Sequence, residues 1–309
     1  MKKGKLKIKN ILIAILILLL IIFGAIKYII HINTDEYKLK QIGYSKQETY
    51  LLKENLNQEQ IDIILEKEYS NTITDLIQEK YFLFKNLDTY LEYCKTNKNT
   101  NITDVITKIN TNTHLDYYTN IKSTDLSKDT LALLNKYYKV DADYEPEDLV
   151  NMSLSHAYSG HKTRQIVYTN YMKMCSEAKK DGYTLVTISS YRTNSFQEAL
   201  YNDYANKNSV AYADSISARP GHSEHQLGLA LDIVSINSGF GGFEETEEYL
   251  WLKDNAHKYG FIVRYPEEKE EITGYSFEPW HYRYVGVEVA TYIYENNITF
   301  DEYYAFYIE

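Results

Sequence analysis

Residues 217–234 read SARPGHSEHQLGLALDIV, and the assignment of the fold turns on this stretch. Ser223-x-His225 is followed, after a short apolar run, by Asp232. From Leu227 onward, Leu227, Leu229, Leu231 and Ile233 share one parity, and Gly228, Ala230 and Asp232 share the other. A period of two predicts a strand with one buried face. The bulky side chains then enter a core, and the small ones leave an open floor that ends in a carboxylate. A histidine just before such a strand and an aspartate near its end can converge on one metal ion. A third ligand must come from elsewhere, and His281 in Glu278-Pro279-Trp280-His281 is the candidate.

The flanking segments frame this strand. Residues 163–181 carry Ile166, Val167, Tyr171, Met174, Cys175 and Ala178 on one side of a helix, with Gly182 placed to end it. Residues 183–189, YTLVTIS, read as a strand by their β-branched content. A turn through Ser190-Tyr191-Arg192-Thr193 leads into a helix capped by Asn194 or Ser195. A short helix is expected over Leu126–Tyr137, and another over Glu247–Tyr259, closed by Gly260. Phe261–Tyr265 is a strand candidate, and Gly286–Asn296 reads as a helix. Thr299-x-x-Glu302 is a capping box for a last short helix. Helices and short strands interleave without a βαβ rhythm or a glycine-rich phosphate loop. The expected class is α+β with a mainly antiparallel sheet flanked by helices.

Upstream, lysines 2, 3, 5, 7 and 9 precede an apolar run, Ile11–Ile30, broken only near its end by Lys27. Twenty helical residues span about 30 Å, the thickness of a hydrocarbon core. The run exceeds a usual signal-peptide core and lacks a small-residue cleavage site before Lys27. It reads as an uncleaved single-pass anchor in the cell membrane, with residues 1–10 as a cytoplasmic tail and the rest outside. Residues 35–120 are polar with helical periodicity, a helical stalk or accessory segment without any cluster that points to chemistry. Within it, 95–113, rich in Lys, Asn and Thr, is the expected linker. The remainder, 125–309, holds every motif of interest.

Composition narrows the partners. A net charge of −10 argues against nucleic acid. Cys94 and Cys175 lack metal-ligand spacing and read as free thiols rather than a bridge. The 32 tyrosines point to no function by themselves.

Two imidazoles and a carboxylate suit zinc, which keeps one position open for water at catalytic sites. Such a site lowers the pKa of bound water toward neutrality. Glu278, three residues before His281, is the candidate general base, and it would return the proton to the leaving amine. Arg192 is the candidate for polarising a scissile carbonyl or pairing with a substrate carboxylate. A blander account stands beside this one: His225 as a core histidine, Glu278 as a solvated cap, Arg192 as a surface ion pair. His156, His161, His222 and His257 have no comparable neighbours and read as structural or exposed.

The motif Ser223-x-His225-x-x-Gly228-x-Ala230-x-Asp232 with Glu278-Pro-Trp-His281 resembles the zinc D-alanyl-D-alanine carboxypeptidases of the VanY type. Their superfamily includes lysostaphin-type peptidases and hedgehog. The likeness extends to Ser190-Tyr191-Arg192 with Gln197, to Arg264-Tyr265-Pro266 with Lys269, to Thr273-Gly274-Tyr275, and to Trp280-His-Tyr-Arg-Tyr-Val-Gly286. It implies His225, Asp232 and His281 as ligands of one zinc ion, Glu278 as catalytic base acting on a zinc-bound water, and Arg192 as the electrophilic or anchoring group. It implies that Ser223 and Gln197 line the substrate pocket. Peptidoglycan stem peptides are the implied substrates, and the lipid bilayer is the partner of the N-terminal helix. Cleavage of the terminal D-Ala-D-Ala bond is the leading expectation. An L,D-cut, hydrolysis of free D,D-dipeptides, and a non-catalytic zinc-stabilised peptidoglycan-binding module are the alternatives.

Overall fold

The computed structural model describes the backbone of residues 2–309 and, within the first nine residues, only the side chain of Ile8. The lysine cluster at positions 2–9, expected to flank the membrane on the cytoplasmic side, therefore lies outside the described residues. The chain forms two units, 1–106 and 107–309.

The first unit begins with helix α1 (Lys2–Ile32). Its Asn10–Ile32 portion has the length and composition to cross a membrane, with mean hydropathy 2.9. Short helices follow at Asp35–Ile42, Lys46–Asn55, Gln58–Leu65, Asn71–Ile77 and Leu87–Thr96. Their starts are written locally: Ser45 with Glu48, and Asn57 with Gln60, form reciprocal capping boxes. Leu39, Leu52, Ile64 and Leu76 fill the core. The expected linker at 95–113 contains a helix, Ile102–Asn110. Ile102, Val105, Ile106 and Ile109 recur at helical spacing, and the last three are buried. Its polar Lys, Asn and Thr residues hide that apolar stripe.

In the second unit, helix α2 (Gln165–Lys180) packs Val167, Tyr171, Met174, Cys175 and Ala178 into the core. Strand β1 (Leu185–Ser189) leads to helix α3 (Asn194–Lys207), whose cap is Thr193 rather than Asn194 or Ser195. Then come β2 (Ala230–Ser235), β3 (Phe261–Val263) and β4 (His281–Tyr284). The order across the sheet is β1-β2-β4-β3, all antiparallel. Helices α4 (Val287–Asn296) and α5 (Phe300–Tyr307) close the chain, and α5 carries the expected capping box.

Three expectations are corrected. Leu126–Tyr137 is not a helix: a 3₁₀ segment, Leu126–Leu131, is interrupted at Asp129 (φ 51°, ψ −114°), whose carboxylate accepts from Arg164 Nη1 at 2.6 Å. The opening motif is not strand from Leu227 either. Glu224–Leu227 is a 3₁₀ turn, ended by Gly228 at φ 63°. A Cβ there would sit 3.0 Å from side-chain atoms of Arg164 and Leu149, so the position takes glycine on both counts. Finally, all six residues of β2 are buried, so no open floor runs along the strand. Leu229, Leu231 and Ile233 join the core, and Asp232 alone of β2 reaches the cleft. Both cysteines are free.

Candidate active site

Sheet register builds the centre. Asp232 pairs directly with His281 across β2 and β4. His225 is delivered by the 3₁₀ turn just before β2, anchored where its Nδ1 meets the Ser190 carbonyl at 2.7 Å. That contact makes Nδ1 the protonated nitrogen and leaves the Nε2 lone pair free. Nε2 lies 3.4 Å from Asp232 Oδ1, which in turn lies 3.4 Å from His281 Nδ1. One ligand atom from each of the three residues falls within 4.8 Å of the others.

The donors fit a metal ion. His225 Nε2 and Asp232 Oδ1 are buried without a hydrogen-bond partner among the described residues. Such orphaned atoms are costly unless something binds them. Burial and the neighbouring Arg192 charge push His225 down to about 4, so its lone pair is available at neutral pH. Burial acts against charge on Asp232 as well, but His225, His281 and Arg192 hold it well below the usual carboxylate range. His281 is opposed by burial too, yet the carboxylates of Glu224 and Glu278 raise it to about 9.

Glu278 Oε2 stands 3.3 Å from His281 Nδ1 and lines the same cleft as His225, Asp232 and His281. Burial lifts its carboxyl above the ordinary range, with His281 acting in the other direction. Arg192 Nη2 is 3.8 Å from Asp232 Oδ2. Its Nη1 donates to Gln197 Oε1 at 3.0 Å, and Gln197 Nε2 donates to Ser217 Oγ and the Ala218 carbonyl. The amide of Gln197 is thus fully engaged in holding Arg192. Ser223 borders the same cleft.

The cleft has a volume of about 810 Å³. Phe196 and Tyr212 stand exposed on one side, and Phe240, edge-on to Trp280 with ring centroids 5.0 Å apart, belongs to the glycine-rich loop. Three contributors escaped the sequence. His161 lines the cleft, its Nδ1 3.0 Å from Ser190 Oγ, instead of being merely structural. Lys136 is buried with Nζ 3.8 Å from the Tyr275 ring centroid, and burial pushes it down to about 7. Glu224 lies behind His281, away from the cleft lining.

A two-histidine, one-aspartate cluster with two orphaned atoms, beside a carboxylate and opening onto a cleft, defines the metallohydrolase class of site. Residues 160–287 match the family model of VanY, D-alanyl-D-alanine carboxypeptidase. YodJ of Bacillus subtilis (strain 168) is 39% identical over 201 residues, which cover 61% of this chain and 74% of YodJ. The chain belongs to the VanY family of D-alanyl-D-alanine carboxypeptidases. Among solved structures, the LdcB LD-carboxypeptidase superposes with a TM-score of 0.57 at 36% identity, covering 62% of this chain and 93% of LdcB. VanYB in complex with D-alanine-D-alanine gives a TM-score of 0.50 at 36% identity, covering 56% of this chain and 96% of VanYB.

Proposed function

We propose that the protein is a membrane-anchored peptidase that hydrolyses the terminal D-Ala-D-Ala amide of peptidoglycan stem peptides, with His225, Asp232 and His281 as the zinc ligands. The observation that carries this reading is the unsatisfied pair His225 Nε2 and Asp232 Oδ1, 3.4 Å apart, with His281 Nδ1 3.4 Å from the same oxygen and Glu278 beside it. Zinc bound there supplies a Lewis acid and makes water nucleophilic near neutral pH.

The chain's own groups carry the proton and orient the substrate. Glu278 takes a proton from the attacking water and delivers it to the leaving amine, so its net protonation is unchanged over one turnover. Its raised pKa makes it the stronger base toward the attacking water. Arg192 donates to the carbonyl oxygen as charge builds on it, or holds the substrate carboxylate. Gln197 fixes the guanidinium and borders the same cleft. Ser223 and the aromatic walls bound the peptide.

At about 810 Å³ the cleft lies in the upper part of the ~300–1,000 Å³ range of ligand sites. That size favours a longer stem over a free D,D-dipeptide. An L,D-cut is the second reading, favoured by the superposition on LdcB. A pure binding module has no need of a carboxylate placed as Glu278 is. The Asn10–Ile32 helix supports a single-pass anchor, and the lysines before it support a cytoplasmic N-terminus with residues 35–120 as a stalk and 125–309 as the external catalytic part.

The test is incubation of the full-length chain in detergent with defined penta- and tetrapeptide stems, with and without chelator, read by mass spectrometry. Loss of one D-Ala from the pentapeptide, abolished by chelator and restored by zinc, is expected. Cleavage of the tetrapeptide alone would replace the leading reading with the L,D one, and cleavage of neither would reject both.

A further inference from the structure

Glu224 sits between Ser223 and His225, and its side chain is wholly buried. Its Oε1 accepts from Arg264 Nε and from Arg283 Nη1, each at 2.7 Å. Both guanidiniums are themselves fixed. Arg264 grips Asp301 of α5 with a fork, Nη1 to Oδ2 at 2.5 Å and Nη2 to Oδ1 at 3.2 Å. Arg283 donates to the carbonyls of Thr130, Ala132 and Tyr284 at 2.7 to 3.0 Å. Asp301 Oδ1 also accepts from Asn135 at 2.8 Å. Two buried guanidiniums thus face two buried carboxylates.

Charge balance accounts for Oε1 but not for the aim of Oε2. Oε2 is buried with no hydrogen-bond partner among the described residues, and His281 Nε2 is buried in the same condition. They lie 3.5 Å apart. A neutral imidazole has one N–H and one lone pair, and the partner of one nitrogen decides which is which. Register supplies the juxtaposition: His281 and Arg283 project from the same face of β4, and Glu224 spans them.

We propose that Glu224 is a positioning residue of the metal centre: it holds the proton of His281 on Nε2, so that the Nδ1 lone pair faces the ion, and Asp301 of the last helix aims Glu224 through Arg264. The inference rests on His281 being a zinc ligand, as proposed above.

The experiment uses the full-length chain in detergent, with zinc competed by a chromogenic chelator. In Glu224→Gln the two arginines claim the amide oxygen, which turns the NH₂ group toward His281 Nε2 and opposes its proton. Zinc affinity should fall about 10- to 100-fold. Asp301→Asn should give a smaller loss. Equal affinity of Glu224→Gln and the parent, within twofold, would overturn the proposal, and parental affinity in Asp301→Asn would remove α5 from it. Should Glu224→Gln fail to fold, ¹⁵N-histidine spectra of the zinc-loaded parent decide: a His281 proton on Nε2 is required, and one on Nδ1 is disproof. A parent chain that binds no zinc would instead remove the metal reading itself, and this inference with it.

Discussion

The two units of the chain handle charge in opposite ways. Among the described residues of 1–106, the buried polar side chains are Thr49 and Thr74, and no charged side chain is buried. In residues 107–309, Lys136, Glu224, Asp232, Arg264, Arg283 and Asp301 are all buried, with His225 and His281 among them. Taking an ion out of water costs several kcal/mol even after relaxation. A fold that does so repeatedly in one place keeps those ions for something other than stability. The described residues of the first unit rely on caps and an apolar stripe instead.

The contrast can be tested by substitution. Glu278→Ala should show the largest effect, a loss of turnover of about 10²–10⁴ with zinc still bound; steady-state assay paired with elemental analysis checks both halves. Retained turnover would strip Glu278 of its role. Next, Asp301→Ala leaves Arg264 buried with one counter-charge fewer, and should destabilise the second unit by about 3–5 kcal/mol, measured by denaturant unfolding. Arg192→Ala should lower kcat/KM about 10²–10³-fold, or roughly 2.7–4 kcal/mol, while the metal stays in place. An unchanged value would leave the guanidinium without a part in the reaction. The smallest effect belongs to the first unit: Asn57→Ala removes a reciprocal cap and should cost about 1 kcal/mol of stability with kcat unaltered. A fall in kcat there would erase the distinction between the units.

Much of the centre could be read directly from the chain. His225 and Asp232 lie in one short motif, and Glu278 and His281 in another, and the structure brings the two motifs together. The capping boxes at Asn57 and Thr299 were equally local. What stayed hidden was non-local. Arg264 and Arg283 are 40 and 59 residues from Glu224 and become its neighbours only through strand register. His161 looked isolated because its partner, Ser190, is 29 residues away. The helix Ile102–Asn110 was masked by composition, although its apolar spacing was present. The buried β2 defeated the two-period reading for another reason: a central strand covered on both faces has no outward side to mark.

Because Asp232 and His281 are held by ladder pairing, the 48 residues between them do not set their separation. Phe240, Tyr265, Tyr275 and Phe277, which shape the cleft, all fall inside that interval. Insertions or exchanges there can remodel which peptide is admitted while the Asp232–His281 pair stays where the sheet puts it. Selectivity and coordination can therefore diverge along separate evolutionary paths within one scaffold.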